Sequence, residues 1–191
     1  MRLVILGGSG SGKGTQAQQL CSHLSIPWIA TGDILLEAIR SCETGLGNDA
    51  QTQLGCQAQP YVEKGELVPD TIMIQFIQQR LNEPDITKGW LLDGYPRTSF
   101  QAEELDFLLD ELEQQLDWAI WLDVPESVMI DRSLARGRDD DEQEIVQRRI
   151  ALFHERTIPI LEYYSRRHRL LTVNGNQPPE QVQQDILQKL C

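Results

Sequence analysis

Long apolar stretches are missing from this chain of 191 residues. No run approaches the roughly 18 to 20 residues that cross a bilayer, so no membrane association is expected. The opening segment, Met1-Arg2-Leu3-Val4-Ile5-Leu6-Gly7, has too short an apolar stretch for a secretory leader. Cysteine is scarce. Cys21, Cys42, Cys56 and Cys191 lie far apart and form no C-x-x-C pair. Neither a zinc ribbon nor a disulfide framework is indicated, and reduced thiols in a cytoplasm are expected. Cations are in deficit: 17 Lys and Arg face 29 Asp and Glu, a formal net charge of −12. That balance argues against nucleic acid and anionic membranes as partners. His23, His154 and His168 are isolated, and no Ser/His or Cys/His dyad is suggested, so they read as structural.

What is present is an ordinary globular balance, with 40% hydrophobic and 24% charged residues, enough for one core. Thirteen of the 17 cations are Arg, and nine of these fall between Arg132 and Arg169. The planar guanidinium fork suits phosphate oxygens, so the cluster fits a site for a compact polyanion. A solvated helix face laced with salt bridges would give the same composition.

Apolar, β-branched runs at 1–6, 26–30, 90–93, 118–123 and 170–173 read as five strands. Between them, helical spacing covers 13–24, a stretch opened by Thr31-Gly32-Asp33, 69–81, 98–114, a stretch opened by Pro125, 142–167 with a bend at Pro159, and 178–190. Strict alternation implies the α/β class, a five-stranded parallel sheet with helices on both faces. Two polar segments, 41–66 and 136–141, interrupt the alternation and read as mobile excursions. Within the first, residues 44–51 and 52–59 match at five of eight positions, either a tandem duplication or chance in a Gln/Gly-rich stretch.

The strongest chemical signal is Gly7-x-x-x-x-Gly12-Lys13, placed between a strand and a helix. Glycines let successive N–H groups curl inward as an anion nest. The helix N-terminus adds its partial positive charge, and Lys13 supplies a full one. A Gly-rich turn without a ligand is the bland alternative. The usual Mg²⁺-ligating hydroxyl after the Lys is displaced: Gly14 stands there and Thr15 follows. Asp93 ends a buried strand, where its carboxylate needs a partner.

Gly10-Ser11-Gly12-Lys13-Gly14-Thr15 resembles the phosphate loop of adenylate kinases. Thr31-Gly32-Asp33 resembles the start of their AMP-binding arm. Leu91-Leu92-Asp93-Gly94-Tyr95-Pro96-Arg97-Thr98, followed by Gln101, resembles the segment holding the AMP phosphate and base. Asp131-Arg132, Arg136, Arg138, Asp140-Asp141 and Arg149 resemble the lid and its hinge. The resemblance runs in order along nearly the whole chain. It implies a P-loop kinase fold with a core at 1–30, 69–131 and 139–191, a mobile AMP-binding arm at 31–68 and a short lid at 132–138.

The implied reaction is ATP + AMP = 2 ADP. Lys13, Arg97, Arg132, Arg138 and Arg149 are implied as catalytic cations. Gly10, Ser11, Gly12, Lys13, Gly14, Thr15, Arg132, Arg136 and Gln177 would hold ATP. Thr31, Glu66, Leu67, Val68, Gly94, Tyr95, Pro96, Arg97, Gln101, Arg138 and Arg149 would hold AMP. Asp93 and Asp33 would hold Mg²⁺ through water. The resemblance implies no zinc, and ATP, AMP and ADP as ligands of a cytoplasmic monomer. Thr31 and Thr98 side with adenine, since related pyrimidine-nucleotide kinases tend to have Ala and Asn there. Two departures fall on the acceptor side: Leu36 stands where the family usually has an AMP-phosphate Arg, and the arm is about eight residues too long for the family, which a duplication at 44–59 would explain. The rival readings are a CMP or UMP kinase, and a nucleotide-binding P-loop protein whose catalysis has been lost.

Overall fold

The computed structural model describes residues 1–45, 49–137 and 142–190. Five strands form one sheet: β1 (Arg2–Leu6), β2 (Trp28–Ala30), β3 (Trp90–Asp93), β4 (Trp118–Asp123) and β5 (Leu170–Asn174). Their spatial order is β2-β3-β1-β4-β5, and every recorded pairing is parallel. β1 lies between β3 and β4, with Leu3 opposite Leu91 on one side and Trp118 on the other.

The apolar runs lack polar alternation because both faces are covered. Leu3, Ile5, Leu91, Ile120 and Leu122 join Ala17 and Leu20 of α1 (Lys13–Leu24) and Val182 and Ile186 of α9 (Pro179–Leu190). Val4, Leu6, Leu92, Ala119 and Trp121 point the other way, into a larger core. That core is closed by α2 (Thr31–Thr44), α3 (Ala50–Glu63), α4 (Asp70–Arg80), α5 (Ser99–Glu111), α6 (Glu126–Arg136), α7 (Gln143–Leu152) and α8 (Pro159–Arg166). Burying about 0.8 kcal/mol per methylene on each face makes β1 the anchor of the molecule. Among the described residues, no helix is long and apolar enough to cross a membrane.

The expected five-stranded parallel sheet with helices on both faces is therefore the observed one. Several local expectations need correction. β2 begins at Trp28 rather than Ile26. The helix opened by Thr31-Gly32-Asp33 has no side-chain cap: α2 starts at Thr31, and its N-cap is Ala30. The polar segment 41–66 is largely helical. Asp49 caps α3 by accepting from the Thr52 N–H at 2.7 Å, and Leu54 and Ala58 are buried at helical spacing. Leu46, Gly47 and Asn48 of the first repeat copy lie outside the described residues.

The thiols are not all reduced: Cys42 of α2 and Cys56 of α3 form a disulfide. The long helical pattern of 142–167 contains a π turn at Phe153–Thr157. Pro159 has no N–H to give the carbonyl of residue 155. The ladder slips there, and the Ile158 N–H reaches the Phe153 carbonyl at 3.0 Å.

Candidate nucleotide site

All five strands deliver their carboxyl ends to one edge of the sheet. The chain winds one way from β1 and the other way from β3, so these neighbours make the switch point where such sheets bind ligands. From β1 the chain enters the loop Gly7–Gly12. Gly10 and Gly12 have φ of 79° and 92°, which an L side chain resists. A Cβ on Gly10 would lie 2.1 Å from the Met129 carbonyl oxygen, so the loop rests directly on α6. The Ser11 hydroxyl oxygen is buried without a hydrogen-bond partner.

Lys13 turns back over the loop, its Nζ donating to the carbonyls of Gly7 at 2.7 Å and Gly8 at 2.9 Å. Burial lowers its pKa to about 8; the Asp93 carboxylate opposes this, and Arg97 and Arg136 reinforce it. Asp93 is the reciprocal case. Burial raises its pKa, Lys13 and Arg97 pull it back, and nearby Asp33 pushes it up again. Asp93 and Asp33 therefore share the mouth of the loop with Lys13, Arg97 and Arg136, a set of cations that suits a phosphate cluster.

Arg132 and Arg136, four apart on α6, both point to this mouth. Arg132 donates to the Gly175 carbonyl at 3.1 Å, just past β5. Arg136 lies 3.4 Å from the Ser9 hydroxyl, which also accepts from Ser133 at 3.0 Å. Gln177 follows Gly175 and donates to Asp185 at 2.5 Å, so its amide is anchored to α9. Gly14 and Thr15 form the first turn of α1. Arg138 lies outside the described residues, as do Asp140 and Asp141.

The second half of the site follows β2 and β3. Thr31 is buried, and its hydroxyl donates to the Asp93 carbonyl at 3.0 Å, stitching the start of α2 to the end of β3. The Tyr95–Pro96 peptide is cis. Arg97 is exposed, its Nε donating to the Gly94 carbonyl at 2.7 Å. The charge of Arg149 on α7 is close enough to be felt at Arg97. Gln101 is buried. Its Oε1 accepts from the Arg97 N–H at 2.7 Å, and its Nε2 donates to Asp70 at 2.7 Å. One amide N–H of Gln101 is left for a ligand. Glu66, Leu67 and Val68 lie just before Asp70, so this bond ties their strap to Gln101. Glu66 is exposed and Val68 is buried in the core.

Sequence reasoning missed the supports. Met129 and Ser133 hold the loop from beneath, Asp70 anchors Gln101, and the Thr157 hydroxyl donates to the Arg97 carbonyl at 3.0 Å. Helical spacing marked α6 but gave no sign of which face met the loop. For a divalent ion, no group of three or more His, Cys, Asp or Glu is assembled among the described residues. Asp93, with Asp33 nearby, suits an ion that keeps its water and takes its other ligands from phosphates, as Mg²⁺ does.

The family model described as "Adenylate kinase" matches residues 5–169. The chain is 63% identical over 190 residues to "Adenylate kinase 2" of Nostoc sp. (strain PCC 7120 / SAG 25.82 / UTEX 2576), covering 100% of this chain and 98% of that one. It is 52% identical to "Adenylate kinase 2" of Synechocystis sp. (strain ATCC 27184 / PCC 6803 / Kazusa), covering 100% of each. Identity to "Adenylate kinase 1" of the same Nostoc strain is 44%, over 97% of this chain and 96% of that one. With a phosphate loop at the switch point and full-length relatives of this identity, the chain belongs to the adenylate kinase family.

Proposed function

We propose that this chain catalyses ATP + AMP = 2 ADP, with Mg²⁺ accompanying the ATP. The observation that carries the reading is the Lys13–Asp93 pair at the sheet's carboxyl edge, with Arg97 and Arg136 within electrostatic reach. No general base is needed, because the acceptor is already a phosphate oxygen. What the reaction requires is charge and alignment for equatorial oxygens in a loose transition state.

In this reading the donor half is Gly10, Ser11, Gly12, Lys13, Gly14 and Thr15, with Arg132 and Arg136 from α6 and Gln177 beyond β5. The acceptor half is Thr31, the strap Glu66–Val68, Gly94–Arg97 and Gln101, with Arg138 and Arg149. Lys13 leaves its loop carbonyls for the transferring phosphoryl oxygens. Arg97 and Arg149, whose charges repel one another, gain an anion between them. Asp93, with Asp33 nearby, would hold Mg²⁺ through water, and the ion would supply positive charge against the ATP phosphates. Residues 31–68 form the acceptor arm and 132–138 the lid, and both close over the nucleotides to exclude water. A monomer acting on free nucleotides in a cytoplasm completes the reading.

Turnover with Mg²⁺-ATP and a panel of AMP, CMP, UMP, GMP and dAMP tests it. AMP should have the highest kcat/KM. A preference for CMP or UMP would reassign the acceptor, and ATP binding without any turnover would make the chain a nucleotide-binding protein.

A further inference from the structure

The second repeat copy brings one cysteine to the helix pair of the acceptor arm. α2 and α3 cross closely: a Cβ on Gly55 would lie 2.3 Å from the carbonyl carbon of Ala38. Cys56 follows Gly55, and Cys42 lies one turn beyond Ala38. The disulfide thus sits on the crossing point, with its Cα atoms 5.5 Å apart. Gln59 braces the same contact, donating to Glu43 of α2 at 2.9 Å and Glu63 of α3 at 2.8 Å.

The two helices carry the two limbs of the arm. α2 starts at Thr31, which is bonded to the Asp93 carbonyl. α3 leads into the strap Glu66–Val68, which adjoins Asp70 and through it Gln101. The bond therefore fixes the relative placement of two limbs of one pocket. It is also reachable: Cys56 is exposed and Cys42 partly so, whereas the free Cys21 is buried. Disulfides that occur in reducing compartments are usually transient or redox-sensing, and an exposed one is open to exchange.

We propose that Cys42 and Cys56 form a redox-modification site, opened by a dithiol reductant, which sets the affinity of the acceptor arm for AMP. The proposal rests on the assignment of residues 31–68 as that arm. A thiolate of the dithiol attacks Sγ of Cys56, the more exposed sulfur, and forms a mixed disulfide. The Cys42 sulfur leaves with the electron pair and takes a proton. The second thiol of the reductant then attacks its own mixed sulfur and releases Cys56, which is protonated in turn. Two electrons and two protons pass to the protein, and the reductant leaves as its disulfide. Leu35, Ala38 and Ile39 of α2 stay packed in one core with Leu54 and Ala58 of α3, so the reduced arm loosens without unfolding. A looser arm must be ordered when AMP binds, and that ordering weakens binding.

The test uses the full chain, air-oxidised and then treated with dithiothreitol. Alkylation followed by peptide mass spectrometry should find Cys42 and Cys56 blocked before treatment and labelled after it. Reduction should raise the KM for AMP by about three- to tenfold and leave the KM for ATP within about twofold. The double variant Cys42→Ser/Cys56→Ser should behave like the reduced protein and ignore dithiothreitol. Free alkylation of both cysteines in the oxidised protein would overturn the proposal, as would equal AMP KM values in the two redox states. Hydrogen exchange with AMP separates the two ways of failing. No protection of residues 31–68 in either state would sink the arm assignment, and the proposal with it. Protection in both states with an unchanged KM would sink the redox proposal alone.

Discussion

Lys13 is bonded to carbonyls of its own loop. Its pKa of about 8 lies below the ordinary 10.5 because burial opposes the charge. Between those values the unfolded chain binds more protons than the folded one, so this group's contribution to stability rises with pH through that window. Catalysis runs the other way, since the neutral amine has no charge to offer phosphate. The value of kcat/KM for ATP should fall as pH rises through about 8, whereas kcat should hold to higher pH, because bound phosphates restore the proton. A flat kcat/KM from pH 7 to 9.5 would contradict this role. Leu36 gives a second prediction. It is 40% exposed on α2, an apolar side chain left in solvent at the position that the resemblance gives to an acceptor-phosphate Arg. Leu36→Arg would add a charge-assisted bond of about 1.5 to 3 kcal/mol. The AMP KM should then drop by roughly tenfold or more, with the ATP KM unmoved. Lys13 was legible because phosphate chemistry needs its charge, and Leu36 because it carries none. The second roles of Thr31 and Gln101 were not, because a buried polar side chain finds its partners only in three dimensions.

At the scale of elements, the α2–α3 crossing departs furthest from the sequence reading. A Gln-rich, Gly-containing stretch showed no strong apolar stripe, so 41–66 read as an excursion. Leu54 and Ala58 are nevertheless four apart and buried, and Gly55 permits the close approach. Gly55→Ala would gain helix propensity yet force the helices apart, for a net loss of about 1 to 2 kcal/mol. Urea unfolding should show a lower midpoint, and a midpoint at or above that of the parent would refute the tight crossing. The same element logic applies to motion. Hydrogen exchange in residues 31–68 and 132–137 should slow when a bisubstrate dinucleotide analogue binds, with β1 and β4 unaffected. Unchanged exchange in both segments would argue against closure. The strands, by contrast, were almost fully legible. Runs without polar alternation signal burial on both faces, and Trp90–Asp93 and Trp118–Asp123 begin and end where the pattern does.

For the whole molecule, the alternation of strand and helix announced a parallel sheet, and the phosphate-loop motif located its active edge. The strand order was not readable, because each helix between strands could cross to either side. The order β2-β3-β1-β4-β5 is what sets Asp93 beside the loop after β1. The result is two acids, Asp93 of β3 and Asp33 of α2, and several cations, with Lys13 from α1, Arg136 from α6, Arg149 from α7 and Arg97, at a single mouth. That convergence carries the central claim, phosphoryl transfer between two nucleotides. The direct measurement follows the phosphoryl group itself. Mg²⁺-ATP labelled in its γ-phosphate is mixed with unlabelled AMP and the enzyme, and the products are separated before equilibrium. The label should appear in the β-phosphate of ADP, without release of inorganic phosphate. The rate should fall about 10²- to 10³-fold in Lys13→Ala, the loss of one electrostatic contact to the transition state. Label recovered as inorganic phosphate, or transfer undiminished in Lys13→Ala, would contradict the account.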